Sequence, residues 1–391
     1  MKNGISRRTM LQGTAAAAAM AGLNARAEDH ETVRKPRKLA PGEKLNIACV
    51  GCGGKGHTDV NSVSMENIVA LCDVDFKKAE KTFKQFPDVP KFKDYREMLR
   101  EMDGEIDAVT VTTPDHMHYP VAKMAMEMGK HVYVQKPLTH SVWEARQMTK
   151  LARKHGVATQ MGNQGQAAED VRVLCELLWD GAIGDVHEVH VWTNRPIWPQ
   201  GLDRPQEKMD PPAHLDWDLW LGVAPERPYH PAYHPFKWRG WRDFGTGALG
   251  DIACHSFAPI CRALKLVHPV SVETSSTKVH KETYPLGSIV RYQYPARGEM
   301  PPVALTWYDG GLKPPRPKEL EPGRDLGDGG TIYLGEKGSM LGARLLPESR
   351  MREYQRPKEY LPRSIGHYEE WIAACKGGEP GGANFDISGP Q

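Results

Sequence analysis

The segment GALGDIACHSF, residues 247–257, places an aspartate and a histidine four residues apart. Residues at this spacing lie on the same face of a helix, so we expect Asp251 and His255 to point in one direction. Such a pair can bind a metal ion, can transfer a proton, or can form a purely structural hydrogen bond between carboxylate and imidazole inside a core. A metal site needs further ligands, and no second helix supplies an obvious one. The sequence therefore predicts no metal site here, and the other two interpretations depend on the surroundings.

A glycine-rich turn earlier in the chain is typical of nucleotide binding. The segment LNIACVGCGGKGH is predicted to be a buried strand, a turn and the start of a helix. Gly51, Gly53 and Gly56 fill the pattern G-x-G-x-x-G, which allows a tight turn, a close approach of the backbone to a pyrophosphate, and close helix–strand packing. The N-terminus of the helix would present free N–H groups to the phosphates.

The next predicted strand, IVALCDVD, ends in Asp73, 22 residues after Gly51. This spacing is typical of a carboxylate that accepts a hydrogen bond from a ribose 2′-hydroxyl. A carboxylate at this place disfavours the 2′-phosphate of NADP. We therefore expect NAD as the cofactor, with NADP as the alternative.

Alternating strands and helices position these groups. DAVTVTTP, HVYVQKP and VATQMG are predicted strands, with a predicted helix between each pair. Such alternation predicts an α/β fold with a parallel, doubly wound sheet whose ligands lie at the carboxyl ends of the strands. The residues that fall at those ends are Thr113, Pro114, Asp115, Gln135, Lys136 and Pro137.

The pattern changes in the second half of the chain. DVHEVHVW, SIVRYQY, PVALTWY and the hairpin TIYLGEKGSMLG are predicted strands of another sheet. The long stretch 196–244 is rich in proline and tryptophan, and loops of this length usually act as lids or binding loops. Aromatic rings can stack on sugar rings while arginine bonds their hydroxyls, so Trp192, Arg239 and Trp241 are candidate substrate contacts. The alternative is that these tryptophans form a small satellite core.

The first 27 residues differ from the rest. They contain adjacent Arg7 and Arg8, an alanine-rich apolar stretch, and a small-x-small site that ends at Ala27. This is the pattern of a twin-arginine export signal, and its apolar stretch is too short for a comfortable membrane span. We expect a signal peptide over 1–27, a polar linker over 28–43, a periplasmic or otherwise exported protein, and no membrane span.

The composition limits the remaining classes of function. The chain has 391 residues, 40% of them hydrophobic and 26% charged, which is typical of a globular protein with room for two domains. Its 51 basic and 49 acidic residues leave a formal net charge of only +2. This balance predicts no nucleic-acid partner.

Taken together, four motifs resemble those of the Gfo/Idh/MocA family of oxidoreductases. The glycine turn comes first, and the family's T-P-x-x-x-H motif follows as TPDHMH, from Thr113 to His118. Its E-K-P motif appears as QKP, with Gln135 in place of glutamate, and its D-x-x-x-H motif appears as DIACH. The resemblance covers nearly everything after residue 44.

The resemblance implies two domains. A Rossmann domain is expected over 44–162, followed over 163–391 by an α+β domain with a large, mostly antiparallel open sheet that often mediates homo-oligomer formation. The chain ends in FDISGPQ, where relatives usually continue into a further helix, and both a complete and a truncated second domain are compatible with the sequence.

The resemblance also implies that Lys136, Asp251 and His255 lie beside the nicotinamide. Hydride transfer from a secondary alcohol requires loss of the hydroxyl proton, which a histidine can accept near neutral pH. Asp251 would accept a hydrogen bond from the other ring nitrogen, and Lys136 would stabilise the developing alkoxide. The predicted cofactor contacts are Gly51, Gly53, Gly54, Gly56, His57, Asp73, Thr113, Pro114, His118, Gln135 and Lys136. The predicted substrate contacts are Lys136, Trp192, Arg239, Trp241, Asp251 and His255.

These features predict an exported NAD(P)-dependent oxidoreductase. It would transfer hydride between a sugar, glycoside or polyol hydroxyl and a nicotinamide that stays tightly bound, because free NAD is scarce outside the cytoplasm. Two alternatives stay open. One is a redox-assisted glycosidase that regenerates its NAD in every turnover, and the other is a non-catalytic, NAD-retaining sugar-binding or sensor protein.

Overall fold

The computed structural model describes residues 33–391. The predicted signal peptide, residues 1–27, and the first part of the predicted linker lie outside the described residues. Over 33–391, no helix combines the length and the apolar character that a bilayer crossing requires.

The first sheet contains six parallel strands. Their bounds are β1 Asn46–Val50, β2 Asn67–Cys72, β3 Lys91–Phe92, β4 Ala108–Val111, β5 His131–Val134 and β6 Thr159–Met161. The strand order β3-β2-β1-β4-β5-β6 is that of a doubly wound nucleotide-binding sheet. The predicted Rossmann sheet is confirmed, and β3, with only two residues, is the strand that the sequence pattern missed.

Five helices follow the strands of this sheet. Their bounds are α1 Lys55–Val63, α2 Phe76–Gln85, α3 Tyr95–Glu101, α4 His118–Glu127 and α5 Val142–His155. Residues of β1 alternate between the two faces, so Ala48 and Val50 join one core cluster while Ile47 and Cys49 join the other. The sheet is therefore covered on both sides, as a parallel sheet requires.

The second domain is built on a seven-stranded sheet. Its strands are β7 Val186–Thr193, β8 Ser271–Ser276, β9 Ser288–Tyr294, β10 Val303–Tyr308, β11 Gly329–Gly335, β12 Gly338–Leu341 and β13 Arg344–Leu346. Its helices are α6 Glu169–Trp179, α7 Trp217–Leu221, α8 Gly247–Leu264 and α9 Glu348–Glu353. The order is β13-β12-β11-β7-β10-β9-β8, and of these neighbouring pairs β7 and β10 run parallel while the others run antiparallel. The predicted, mostly antiparallel sheet is confirmed.

The last two helices return to the first domain. They are α10 His367–Cys375 and α11 Phe385–Ser388. Trp371 and Cys375 are buried in the core cluster of β1, and Phe385 is buried in the cluster on the opposite face of the same sheet. The sequence placed this segment in the second domain, because a returning segment carries no local signal of the surface that it covers.

Candidate active site

Glycines shape the turn after β1. Gly51 has a φ of +82°, and a Cβ there would overlap the carbonyl oxygen of Thr112. Both the left-handed conformation and the close approach therefore require glycine. A Cβ on Gly56 would overlap the carbonyl oxygen of Gly51, so this third glycine lets α1 pack directly on the end of β1.

Asp73 follows β2, and its carboxylate faces the glycine turn. Its Oδ2 accepts hydrogen bonds from the backbone N–H groups of Cys52 at 2.7 Å and Gly53 at 3.1 Å, and Oδ1 accepts one from the N–H of Asp75 at 2.9 Å. Burial raises the pKa of Asp73 to about 6. The carboxylate also lines a cavity, where a ribose hydroxyl can donate to it.

This cavity, of about 390 Å³, lies at the carboxyl ends of the strands in the first sheet. The predicted cofactor contacts that line it are Gly51, Gly53, Gly54, Asp73, Thr113, Pro114, Gln135 and Lys136. The second domain contributes Trp220, His234, Phe236, Trp238 and Arg239 to the lining. The hydroxyl oxygen of Thr113 is buried without a hydrogen-bond partner, and such a group indicates that a ligand supplies one.

Helix α8 carries Asp251 on its buried face and His255 one turn later. The helix begins at Gly247, whose φ is +65° and where a Cβ would overlap the ring of Tyr284. Glycine therefore lets the helix start against this ring. Its apolar residues, among them Phe257, pack on the second sheet, which fixes the rotation of α8 about its axis.

Lys136 reaches α8 from the end of β5. Its Nζ lies 3.0 Å from the carbonyl oxygen of Asp251 and 3.1 Å from Oδ1 of the same residue. Arg239 donates from Nε to that Oδ1 at 3.2 Å. Because Asp251 is only 5% exposed, its carboxylate is a buried charge that two cations neutralise. The carboxylate thereby holds the Lys136 ammonium at the cavity wall.

The ring of His255 faces Asn163. Its Nδ1 lies 2.9 Å from Oδ1 of Asn163, whose Nδ2 donates to the carbonyl oxygen of Cys254 at 2.8 Å. Since the amide nitrogen donates, Oδ1 must accept, so Nδ1 of His255 carries the hydrogen and Nε2 keeps a lone pair. The prediction that Asp251 orients this ring is wrong, because Asp251 binds Lys136 and Arg239 instead.

The surroundings of His255 favour its neutral form. Burial lowers the pKa of His255 to about 4, and the ammonium of Lys136 acts in the same direction. The ring is therefore neutral throughout the physiological pH range. Its Nε2 is free of a proton and can accept one from a hydroxyl group.

Gln135 lies behind Lys136 and bonds to a buried carboxylate. Its Nε2 donates to Oδ2 of Asp59 at 2.9 Å. Asp59 also accepts from Nζ of Lys55 and from the hydroxyl of Tyr368 on α10, both at 2.6 Å. A glutamate at position 135 would press a second carboxylate against Asp59, so the amide is the side chain that fits here.

Two histidines that were predicted to contact the cofactor have other surroundings. The Nδ1 of His57 lies 3.0 Å from the hydroxyl of Thr82 on α2, outside the cavity lining, so this prediction is wrong. His118 is buried, and its ring nitrogens lie 2.8 Å from the carbonyl oxygen of Pro137 and 2.9 Å from that of Thr113. It is a positioning residue that holds together two loops of the cavity wall.

The two tryptophans that were predicted to contact substrate are also buried elsewhere. Trp192 is 2% exposed and donates from Nε1 to the carbonyl oxygen of Gly327, on the face of the second sheet opposite α8. Trp241 lies in a satellite core under the long loop. Both predictions are wrong, because residue type and loop membership do not reveal burial. Trp220 and Trp238 line the cavity instead.

The long loop of the second domain is fastened to the first domain by two histidines. His214 Nδ1 and His234 Nε2 each lie 2.8 Å from a carboxylate oxygen of buried Asp75. The backbone N–H of Asp216 also donates to the carbonyl oxygen of Val74 at 2.9 Å. These bonds hold the loop over the segment that follows β2, at one end of the cavity.

Sequence reasoning missed Asn163, a single amide in the loop after β6, because no spacing rule marks such a residue. The motif TPDHMH places Asp115 at the end of a predicted strand, but its spacing gives the residue no chemical role. Over residues 33–391, no three side chains of His, Cys, Asp or Glu come together in a group that could hold a metal ion.

Two family models match the chain. Residues 45–163 match the Gfo/Idh/MocA model described as an oxidoreductase family with an NAD-binding Rossmann fold, and residues 186–299 match the model for the family's C-terminal alpha/beta domain. Together they cover more than half of the chain.

Among individual proteins, the oxidoreductase YdgJ of Escherichia coli (strain K12) is 34% identical over 117 residues, which are 30% of this chain and 34% of YdgJ. The D-glucoside 3-dehydrogenase of the same organism is 28% identical over 147 residues, 37% of this chain and 41% of that enzyme. The chain spans between 34% and 49% of the length of the first curated relatives that it matches.

The fold is also similar to solved structures. The WlbA dehydrogenase from Bordetella pertussis, in complex with NADH and UDP-GlcNAcA, superposes with a TM-score of 0.60 over 89% of this chain and 93% of that one. The sequence identity is 17%, so this likeness concerns the fold alone.

Proposed function

Because the chain belongs to the Gfo/Idh/MocA oxidoreductase family and carries its NAD-binding Rossmann domain, we propose that it oxidises a secondary hydroxyl of a sugar, glycoside or polyol. The observation that carries this proposal is the pairing of a lysine ammonium with a neutral histidine on α8. Lys136 lines the nucleotide cavity, and His255, which interacts with its charge but is not among the lining residues, keeps a lone pair on Nε2. The nicotinamide, when bound, supplies the hydride acceptor.

The described residues fit an NAD cofactor. The left-handed Gly51 and the open Gly54 let backbone approach a pyrophosphate, and the Thr113 hydroxyl lacks a partner. Asp73 offers a carboxylate for ribose hydroxyls and would repel a 2′-phosphate. These features support NAD over NADP.

Each polar group of the site has a distinct task in the proposed reaction. His255 accepts the hydroxyl proton at Nε2, and Asn163 fixes the tautomer that makes this possible. Lys136 donates a hydrogen bond to the same substrate oxygen and stabilises the negative charge that develops there. Asp251 keeps the ammonium in place.

A carbohydrate substrate is supported by the wall that the second domain contributes. The nearly buried indoles of Trp220 and Trp238 contribute apolar surface to the lining, and Arg239, which lies over the Trp238 ring, contributes hydrogen-bond donors. The similarity to a D-glucoside 3-dehydrogenase points to the same class of molecule.

Export and tight cofactor retention are part of this proposal. The twin-arginine pattern in residues 1–27 supports export to the periplasm, where a cofactor must be kept between turnovers. The bonds of His214 and His234 to Asp75 support retention, because they hold a loop across one end of the cavity. The edge strand β8, exposed at every residue, supports assembly into a homo-oligomer.

Purified protein loaded with NAD tests the proposal with methyl α-D-glucoside and scyllo-inositol as probes. We expect net NADH formation, seen by its absorbance, with at least one of them, and loss of this signal in Lys136→Ala with NAD still bound. Cleavage of the glycoside without net NADH would favour the glycosidase. Binding with neither reaction would favour the non-catalytic alternative.

A further inference from the structure

Asp115 has two carboxyl oxygens in different surroundings. The residue lies after β4, is 1% exposed and lines the cavity. Its Oδ2 accepts a hydrogen bond from the hydroxyl of Thr246 at 2.8 Å, whereas Oδ1 is buried and has no hydrogen-bond partner. Leaving a buried polar atom unpaired is costly, so such an atom indicates a place where a ligand supplies the partner.

The charges around Asp115 favour a protonated carboxyl group. The titratable and charged residues that face it are Asp251, Lys136, Arg239, Cys254 and Tyr284. Both cations bind the carboxylate of Asp251, so they are not hydrogen-bond partners of Asp115. Burial, followed by the negative charge of Asp251, raises the pKa of Asp115 to about 7. The carboxyl group is therefore mostly protonated in mildly acidic solution and loses its proton as the pH rises through about 7.

We propose that Asp115 is a substrate-binding residue that donates a hydrogen bond from its protonated Oδ1 to an oxygen of the carbohydrate. Because Thr246 donates to Oδ2, that oxygen acts as the acceptor and the proton resides on Oδ1. The inference rests on the proposed function and deepens it, since it names a property of the substrate. The substrate oxygen must accept a hydrogen bond at this point.

This property concerns the kinds of oxygen that a carbohydrate offers. Ring and glycosidic oxygens can only accept hydrogen bonds, so they suit a carboxyl donor, whereas an ionised carboxylate would suit a hydroxyl that donates. A cyclic sugar or glycoside offers such ether oxygens, and a cyclitol offers hydroxyls alone. The protonated carboxyl group can therefore bond an ether oxygen, which the ionised carboxylate cannot, and the hydroxyl oxygens of a sugar or a polyol can accept its hydrogen bond as well.

The test measures the calorimetric affinity of NAD-loaded protein for methyl α-D-glucoside at about pH 6.5 and about pH 8.5, on either side of the Asp115 titration. We expect binding to weaken about tenfold at the higher pH, the size of one lost hydrogen bond. Asp115→Asn keeps a donor at every pH, so its affinity should be the same at both. The control Asp210→Asn removes an exposed carboxyl group outside the cavity lining and should keep the tenfold change.

A second measurement needs no sugar. The folded-state pKa of Asp115 lies above its ordinary value, so its contribution to stability is complete below about pH 4 and is lost as the pH rises through about 7. The denaturation midpoint of the unmodified protein, relative to Asp115→Asn, should therefore fall over this range and level off above it. If Asp115→Asn does not fold, Thr246→Val replaces it in the affinity test. Loss of that hydroxyl raises the pKa, so tight binding should extend to higher pH.

Three results would overturn the inference. Glucoside affinity without pH dependence in the unmodified protein would mean that Asp115 donates nothing to the sugar. A flat stability difference would mean that the carboxyl group is ionised throughout. Weaker NAD binding with unchanged glucoside binding in Asp115→Asn would assign the residue to the nucleotide. Absence of glucoside and inositol binding at every pH would instead contradict the proposed function itself.

Discussion

The two walls of the cavity are built in different ways. On the nucleotide wall, the glycine turn, Asp73 and Thr113 each follow a strand of the same sheet, and short motifs define them. Around the opposite wall, the contacting pairs lie far apart in the chain, and Asn163, Asp251 and His255 lie outside the cavity lining itself. Lys136 and Asp251 are separated by 115 residues, and Asn163 and His255 by 92. Motif spacing therefore describes the first wall well, whereas the second depends on how the domains pack.

The largest effect is expected on the second wall, at the proposed base. His255→Ala should lower kcat by on the order of 10²–10⁴-fold, because no group would accept the hydroxyl proton. The nucleotide wall is untouched, so NAD affinity should stay unchanged in a fluorescence titration. In the unmodified protein, kcat at saturating substrate should fall on the acid side only below about pH 4, where His255 becomes protonated. A decline centred near pH 6.5 would contradict the buried, neutral ring.

Variants of Asn163 and Asp251 test which of the two residues orients the His255 ring. The structure assigns this role to Asn163, whereas the sequence predicts Asp251. Asn163→Leu removes the acceptor of the Nδ1 hydrogen and should lower kcat by about 10²-fold, because the wrong tautomer becomes accessible. Asp251→Asn should leave the tautomer unchanged and instead loosen Lys136. Nitrogen NMR shifts of the His255 ring report the tautomer directly. A tautomer change in Asp251→Asn, with none in Asn163→Leu, would reverse the assignment.

The hydrogen bond between the amide of Gln135 and the carboxylate of Asp59 can be tested by exchanging these two side-chain types. Gln135→Glu should reduce the free energy of unfolding by about 1–3 kcal/mol. The substitution replaces the amide that donates a hydrogen bond to buried Asp59 with a second carboxyl group, which cannot donate when it is ionised. The double variant Asp59→Asn with Gln135→Glu restores one carboxylate beside one amide and should recover much of the loss. Denaturant titrations of Gln135→Glu, Asp59→Asn and the double variant measure these free energies of unfolding. Additive losses in the double variant would show that the two side chains do not interact.

The smallest expected change concerns nucleotide choice. Asp73→Ala should narrow the preference for NAD over NADP by about tenfold, since one ribose acceptor and one repulsive charge disappear. Glu80→Ala, on the exposed face of α2, serves as the matched carboxylate control. The dissociation constants for NAD and NADP, measured in the unmodified protein and in both variants, give the preference as their ratio. Equal affinity for NAD and NADP in the unmodified protein would remove the basis for a role of Asp73.

The outcome of the sequence analysis follows the same division between the walls. The strand order and the placement of Gly51, Asp73 and Thr113 could be predicted, because each follows from local spacing within one sheet. His57 and Trp192 were assigned wrongly, since their distance along the chain from the motifs says nothing about which way they face. Asn163 could not be predicted, because its role exists only when the loop after β6 meets α8. Tertiary contacts, rather than residue types, decided these cases.

The return of α10 to the first domain has a consequence for synthesis on the ribosome. Trp371 completes the core on one face of the first sheet, and Tyr368 bonds to Asp59 behind the cavity. A nascent chain that has already produced all six strands of that sheet still lacks both residues. The domain that binds the nucleotide is thus the first to be translated and the last to be completed. We expect nucleotide capture to begin only after α10 has been translated, because Asp59 lacks its Tyr368 partner before then.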